Sequence, residues 1–410
     1  MADSTVTIVG GGVQGVHLAI RLLEAGLVPR SALQIIEPDG ILGGFRRKCR
    51  QCGMTELRSP FVHHVDSDPF SLRDFARSCG RETELVSSSV GADRPTVSLF
   101  FDHAEACCER YDLENLVIDA AATDIGDAGD HVEIETTAGV YTARWCLLAV
   151  GHGRSYTMPT WARDRPEAPV THVWDQEYDP AALEEVASVG VVGGGITAAQ
   201  VATSLVRPGR DVTLFARSPF TVESLEADTD WMHFSGALAD LHDLPPASSA
   251  RAQLVRRARY DGAMPPHVFR RLRRALDEGA VTLERTEITA LTATGGPVVV
   301  SCQNGRALCL DHVICATGFD SPYDGPLFRA LREGTTLQTG HRGAPVLEDE
   351  TLRWRRADGS LSQLIVTGAP AQQVLGPFAR NVIGARRAGT LICDLLEEAE
   401  NASEPSSVRV

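Results

Sequence analysis

Two glycine clusters carry the clearest chemistry in this 410-residue chain. One is Val9-Gly10-Gly11-Gly12-Val13-Gln14-Gly15, and the other is Val192-Gly193-Gly194-Gly195-Ile196-Thr197-Ala198. Each follows a short apolar run and opens a segment with helical periodicity. Gly10 and Gly193 permit a tight strand-to-helix turn. Gly12 and Gly195 let the backbone approach a pyrophosphate, and Gly15 or Ala198 lets helix pack closely on strand. The first N–H groups of each helix, with its positive dipole end, suit phosphate. Two such units about a domain apart point to two dinucleotides on one protein. The natural pair is FAD with a nicotinamide nucleotide, and the chemistry is that of a flavoprotein oxidoreductase.

The residues after each unit refine this assignment. Val6 to Val9 reads as the first strand, Val13 to Ala25 as a helix with Val16, Ala19, Ile20 and Leu23 on one face, and Leu33 to Ile36 as the next strand. Glu37 closes that strand, where an acid accepts hydrogen bonds from a ribose hydroxyl. In the second unit the strands are Val189 to Val192 and Val212 to Phe215, with a helix between them to about Val206. Ala216 stands where the acid would be, followed by Arg217 and Ser218. An acid there would repel a 2′-phosphate and an arginine attracts it, so NADPH is expected rather than NADH.

Other reactive side chains cluster between the fingerprints. Cys49-x-x-Cys52, among Arg46, Arg47, Lys48 and Arg50, has the spacing of a dithiol that could cycle beside a flavin. Arg58 could clamp a substrate carboxylate, and His63 or His64 could take a proton from an amine. The bland reading gives all three structural hydrogen bonds in a loop. No second Cys/His pair stands at zinc spacing, so no metal is expected.

The elements that position these groups alternate as an α/β fold. The expected architecture is two Rossmann-like dinucleotide-binding domains, the second inserted in the first. Its parts are residues 1–160 for FAD, 161–312 for NADPH, 313–400 completing the FAD domain, and a flexible tail over 401–410. Strands are expected at His131 to Thr136, Val140 to Arg144 and Trp145 to Val150. A charged helical stretch covers Val255 to Glu278, followed by short strands to Leu310. The strands ending in Gly151-His152-Gly153 and in Thr317-Gly318-Phe319 read as crossings between domains. Leu364 to Val366 gives a last strand and Val382 to Ala399 a closing helix. Gly376-Pro377-Phe378 leads into that helix, whose N-terminus would face the flavin. The formal net charge of −15 argues against nucleic acid and anionic membrane as partners. No apolar run reaches the length of a membrane span, and ten scattered cysteines suit a reducing cytoplasm.

Several segments resemble the flavin-dependent N-hydroxylating monooxygenases, the group of lysine and ornithine N-monooxygenases. The first fingerprint with Glu37 is similar to their FAD site. Met54 and the run Asp68-Pro69-Phe70-Ser71-Leu72 to Phe75 resemble the stretch they place beside the flavin. Thr171-His172-Val173-Trp174, the second fingerprint, Ser218-Pro219-Phe220 and Ala316-Thr317-Gly318-Phe319 resemble their NADPH segments and Ala-Thr-Gly turn. The resemblance implies that NADPH reduces FAD, that O2 gives a flavin hydroperoxide, and that one oxygen passes to a small nucleophile, most simply an amine. Thr55 replaces the usual glutamine, and the Arg58-to-His64 run lacks the family's substrate-binding lysine, so ornithine and lysine are not expected as substrates. Members of the family are often tetramers, so a homo-oligomer is an added expectation. Two other readings stand beside this one: a thiol/disulfide oxidoreductase using Cys49 and Cys52, and a nucleotide-binding regulator without turnover.

Overall fold

The structure is a computed structural model. It describes residues 3–403 apart from Ser89, Val90, Arg154, Asp164, Pro166, His233–Ser235 and Thr294. The expected tail therefore lies outside the described residues beyond Ser403.

Uninterrupted apolar runs become parallel strands buried on both faces. In the larger, eight-stranded sheet, Ser4–Val9 lies between Leu33–Ile36 and Gly139–Leu148, and Leu361–Val366 pairs with the far side of Gly139–Leu148. Val6, Ile8, Ile35, Leu147, Leu148, Ile365 and Val366 are fully buried there. Gly139–Leu148 is one continuous strand, not the two that were expected. Its first half pairs antiparallel with Val132–Thr136 and its second half parallel with Ser4–Val9. Arg353–Arg355, which the sequence did not announce, adds an antiparallel edge strand.

The second sheet is parallel throughout, in the order Thr282–Glu284, Asp211–Phe215, Ser188–Val192, His312–Cys315, Val170–His172. A three-stranded meander, Ile288–Ala293, Val298–Cys302 and Ala307–Leu310, accompanies it. The α/β fold, with a parallel core in the larger mixed sheet and a second sheet parallel throughout, is thus as expected. The single charged helix is not. It is two helices, Ser249–Ala258 and Pro266–Asp277. Gly262, at φ +71°, and Pro265-Pro266 interrupt the pattern, because proline lacks the N–H that would continue a helix. The closing helix runs on to Ser403 and packs along Val13–Glu24, with Gly389 against His17 and Leu18.

The two crossings between the sheets are joined to each other. Tyr156 bridges Phe319 antiparallel, Thr157 N–H donates to the Gly318 carbonyl at 3.1 Å, and the Thr157 hydroxyl donates to Asp320 at 2.9 Å.

Behind the first fingerprint helix lies a buried polar knot. His17 donates from Nδ1 to the Val65 carbonyl at 2.9 Å, and His64 donates from Nε2 to the Pro69 carbonyl at 3.2 Å. The His103 ring stands edge-on to His64 at 4.8 Å. Burial pushes the pKa of all three histidines down to about 4, with Arg386 and Arg21 acting in the same direction on His17. The unfolded chain therefore binds more protons than the folded one below the ordinary histidine value. Stability is expected to fall as pH drops from about 6.5 to about 4. A thermal unfolding temperature that stays level across that window would remove these histidines from the account.

Candidate dinucleotide cleft

The two fingerprints repeat one local solution. Gly10 has φ +112° and Gly193 φ +150°, and a Cβ on either would clash with a backbone oxygen, 2.6 Å from Ala149 O and 2.5 Å from Ala316 O. Each turn glycine is thus pressed against the end of the strand that leads to a crossing. The helices Val13–Glu24 and Ile196–Ser204 begin at Gly12 and Gly195, and neither has a side-chain cap. Their first N–H groups, including those of Val13, Gln14, Ile196 and Thr197, are left for a phosphate.

The differences between the units are as informative. Nothing lies within 4 Å of a Cβ placed on Gly12, so the space over it is open. Over Gly195 the same space is shared with the backbone of Gly262, 3.3 Å away. A Cβ on Gly15 would lie 1.9 Å from the Gly10 carbonyl oxygen, whereas Ala198 is accommodated, fully buried, beside Gly193. Glu37 accepts from Gly11 N–H at 2.7 Å and from Asp39 N–H at 3.0 Å, which sets its carboxylate at the strand end. The Gln14 side chain donates to the Ala379 carbonyl at 2.8 Å and accepts from the Thr367 hydroxyl at 2.9 Å, tying the fingerprint to the end of the chain.

One cleft of about 1070 Å³ takes in the second unit at Gly193 to Thr197 and reaches the first at Gln14. From the first sheet it is lined by Gln14, Lys48, Gly151, His152, Gly368, Ala369 and Arg380. From the second it is lined by Gly193 to Thr197, Arg217, Ser218, Thr317 and Gly318. Arg217 is largely exposed and stands 3.8 Å from Glu287. An aromatic tier marks the junction. His152 stacks on Phe319 at 4.8 Å, and Trp174 stacks on the same ring at 5.7 Å and 3°. Nearby, Tyr156 stacks on His172 at 4.2 Å. Burial first, then Arg380, Lys48 and Arg259, hold the His152 pKa down to about 2, so this imidazole is neutral.

Several expected site residues lie elsewhere. Arg58 reaches the cleft rim, but its guanidinium donates to the carbonyls of Glu223 (2.9 Å), Ser224 (3.0 Å), Ala263 (3.3 Å) and Leu225. It is a strut between loops and is not free to clamp a carboxylate. His63 and His64 do not line the cleft. His64 belongs to the buried knot, and burial pulls His63 down to about 4 as well. Gly376 is not at the cleft either. It caps a short turn, and Trp231 covers it at 2.9 Å from where a Cβ would be. Met54 sits one layer back, with Cys49 Sγ 3.8 Å from its sulfur, packed against the cores of both sheets.

The Cys49/Cys52 expectation is corrected in the same way. Cys49 is 3% and Cys52 0% exposed, both are free thiols, and neither lines the cleft. Burial pushes both thiols up to about 12, so the thiolate needed for exchange is scarce. The next residue, Gly53 at φ +63°, has no room for a side chain beside Ser204. The segment is a wedge joining the Gly43–Gln51 helix to the second fingerprint helix. A Cys49→Ser/Cys52→Ser variant is expected to keep NADPH oxidation within about threefold while losing about 1–3 kcal/mol of stability to buried hydroxyls. Activity in a steady-state assay and a denaturant melt check the two halves of that statement.

The sequence reading missed Lys48, His152, Trp174 and Arg380 as cleft residues. A signal was available for one of them: Lys48 is the only lysine among 39 cationic side chains.

Comparison with known proteins agrees with this layout. Residues 7–153 match the FAD-NAD(P)-binding family, and residues 126–321 match the family L-lysine 6-monooxygenase/L-ornithine 5-monooxygenase. Together the two matches span residues 7–321. Among solved structures, the chain is similar in fold to an ornithine N-hydroxylase from Kutzneria sp. 744. The TM-score is 0.75 at 18% identity, covering 98% of this chain and 100% of that one. It is equally similar to an L-lysine 6-monooxygenase from Pseudomonas syringae, with TM-score 0.75, 17% identity, and 98% and 100% coverage. A FAD-binding monooxygenase from Aspergillus calidoustus is 24% identical over 234 residues. That match spans 53% of this chain and only 34% of the relative. The FAD-NAD(P)-binding match gives FAD and a nicotinamide nucleotide as cofactors, and the uncapped helix starts and open space at Gly12 fit them. Among the described residues no helix is long and apolar enough to cross a membrane.

Proposed function

We propose that this protein is a flavin-dependent monooxygenase that N-hydroxylates a small amine, using FAD, O2 and NADPH. The observation that carries the reading is one cleft lined by Gly193 to Thr197 of the second fingerprint and reaching the first at Gln14, so that a flavin and a nicotinamide nucleotide could meet there. The match of residues 126–321 to the lysine/ornithine family supports an amine as the nucleophile.

In this reading residues 1–160 and 313–400 form the FAD part and 161–312 the NADPH part. N–H groups at Gly12, Val13 and Gln14 hold the FAD pyrophosphate, Gly15 keeps helix on strand, and Glu37 takes a ribose hydroxyl. Gly193, Gly195, Ile196, Thr197 and Ala198 do the same work for NADPH, with Arg217 and Ser218 at its 2′-phosphate. Gly151, Thr317 and Gly318 are the backbone of the crossings between the two. FAD held there would supply the redox chemistry, with NADPH as the reductant and O2 as the source of the oxygen atom passed to the amine and of the water released. The chain's own part is to orient, to keep the junction dry and to keep unwanted charge away. The stacked His152, Phe319 and Trp174 exclude water. His152 stays neutral across the physiological range. A homo-oligomer and a cytoplasmic location belong to this reading, the first on the family resemblance and the second supported by ten free thiols.

The test is rapid mixing of the NADPH-reduced protein with oxygenated buffer while the flavin spectrum is followed. A transient spectrum belonging to neither reduced nor oxidised flavin is expected, lengthened by NADP+ and shortened by the right amine. Monotonic reoxidation without a transient would sink the monooxygenase mechanism. A flavin that NADPH never reduces would favour the regulator.

A further inference from the structure

The histidine knot behind the first fingerprint helix contains a second constellation. Among the described residues, Asp66, His103 and Cys107 are the one group of three whose ligand atoms lie within 4.8 Å of one another, and all three are buried. His103 and Cys107 stand four residues apart on the Val97–Arg110 helix, so they share one face. Asp66 comes from the loop after His64, and the Val65 carbonyl of that loop accepts from His17 of the Val13–Glu24 helix. Cys107 Sγ is 3.5 Å from Asp66 Oδ2 and 3.5 Å from His103 Nε2. A tetrahedral zinc ion, about 2.3 Å from sulfur and about 2.0–2.1 Å from nitrogen or oxygen, sets neighbouring ligand atoms about 3.5 Å apart. The Ser71 hydroxyl, 2.9 Å from His103 Nε2, is placed to hold a water as the fourth ligand. A buried carboxylate needs a counter-charge. Here it is Arg110, whose Nη1 is 3.2 Å from Asp66 Oδ2. Its side chain is 57% exposed, against 2% for that of Asp66, so it can swing into water and leave the carboxylate to another cation.

We infer that Asp66, His103 and Cys107 form a Zn²⁺ site that pins the loop after His64 to the Val97–Arg110 helix. Sulfur, imidazole and carboxylate together suit zinc, whereas Mg²⁺ and Ca²⁺ take oxygen ligands. On binding, the Cys107 S–H bond breaks, sulfur keeps the electron pair and bonds to zinc, and the proton leaves to solvent. Arg110 and zinc compete for Asp66. None of the three ligands lines the cleft, so the ion is structural, and the inference stands apart from the reaction proposed above. The sequence reading expects no metal because His103 and Cys107 make only a pair; the fold adds Asp66.

The experiment strips the holoenzyme with a chelator, then titrates it with Co²⁺ and with Zn²⁺. One Co²⁺ per chain is expected, with a thiolate charge-transfer band and tetrahedral bands in the red, where oxidised flavin does not absorb. Zn²⁺ should displace it and raise the unfolding temperature. Cys107→Ser should abolish the thiolate band and weaken Zn²⁺ at least about tenfold, since even partners behind a metal ligand are worth that much. Arg110→Gln, at an exposed side chain with little bearing on folding, should tighten Zn²⁺ about two- to fivefold, the worth of the ion pair removed. The Cys49→Ser/Cys52→Ser variant should bind as the unaltered protein does. Should Cys107→Ser not fold, the cobalt spectrum of the unaltered protein and the Arg110→Gln titration still decide. Absence of a stoichiometric ion, a cobalt spectrum without the thiolate band, or weaker zinc binding by Arg110→Gln would overturn the inference. So would zinc binding that survives Cys107→Ser and is lost with Cys49 and Cys52.

Discussion

Gly12→Ala is expected to give a protein that folds normally and emerges from purification nearly free of flavin. Nothing lies within 4 Å of the added methyl group, and Gly12 sits at φ −73°, ψ −174°, which alanine adopts without strain. The apoprotein therefore has no reason to be less stable. The added Cβ instead occupies the path by which a pyrophosphate meets the first helix turn. Displacing it by a fraction of an ångström forfeits charge-assisted hydrogen bonds of about 1.5–3 kcal/mol each, or roughly 10- to 100-fold in FAD affinity. Gly15→Ala should behave differently although it lies three residues away. Its methyl would sit 1.9 Å from the Gly10 oxygen and 3.2 Å from Ile8 Cγ2, so helix and strand must part. That costs about 1–3 kcal/mol of the fold itself, along with flavin. Flavin absorbance per protein and apoprotein melting temperature separate the two cases. Equal melting losses in both variants would mean that Gly12 is structural and that the flavin pyrophosphate lies elsewhere.

The second large effect is expected at Arg217. Arg217→Ser should raise the KM for NADPH by roughly 10- to 100-fold, the worth of a charge-assisted contact to phosphate, and leave that for NADH nearly unchanged. The side chain is free to move onto a 2′-phosphate, since it is largely exposed and only loosely associated with Glu287 at 3.8 Å. Removing it also leaves Glu287 facing the phosphate. Unchanged discrimination between the two nucleotides would shift the assignment to Arg285. That residue lies over Phe220 at 4.3 Å and donates to the Ser218 carbonyl.

The parts of the protein legible in the sequence share a property: they are local. A fingerprint is a strand, a turn and a helix within about twenty residues, and its glycines are dictated by contacts inside that unit or with the adjoining strand end. The acid at Glu37 and its replacement by Ala216 and Arg217 sit at the end of the next strand, at a separation the unit itself imposes. For the same reason the core strands, Val6 to Val9 or Val189 to Val192, were readable as apolar runs. Local pattern misled where a long-range partner overrode it. Val140 to Arg144 and Trp145 to Val150 look like two strands because their exposure changes midway. They are one strand whose two halves have different neighbours.

The reactive side chains were not legible in that way. Cys49-x-x-Cys52 has redox spacing, but whether it meets a cleft or a core depends on which helix packs against it, and that helix begins at Ile196. Arg58 looked like a carboxylate clamp until four carbonyls from residues 223–225 and 263 were found around it. Lys48 and Arg380 lie more than three hundred residues apart, and no spacing relates them. The sequence by itself determined that there are two dinucleotide-type strand–turn–helix units, and that one ends its next strand in an acid and the other in Ala216 and Arg217, because helix starts and strand ends encode those within single units. Only the tertiary structure decided which reactive side chains reach the cleft and which are held among partners elsewhere, because burial and pairing are properties of surfaces brought together by folding.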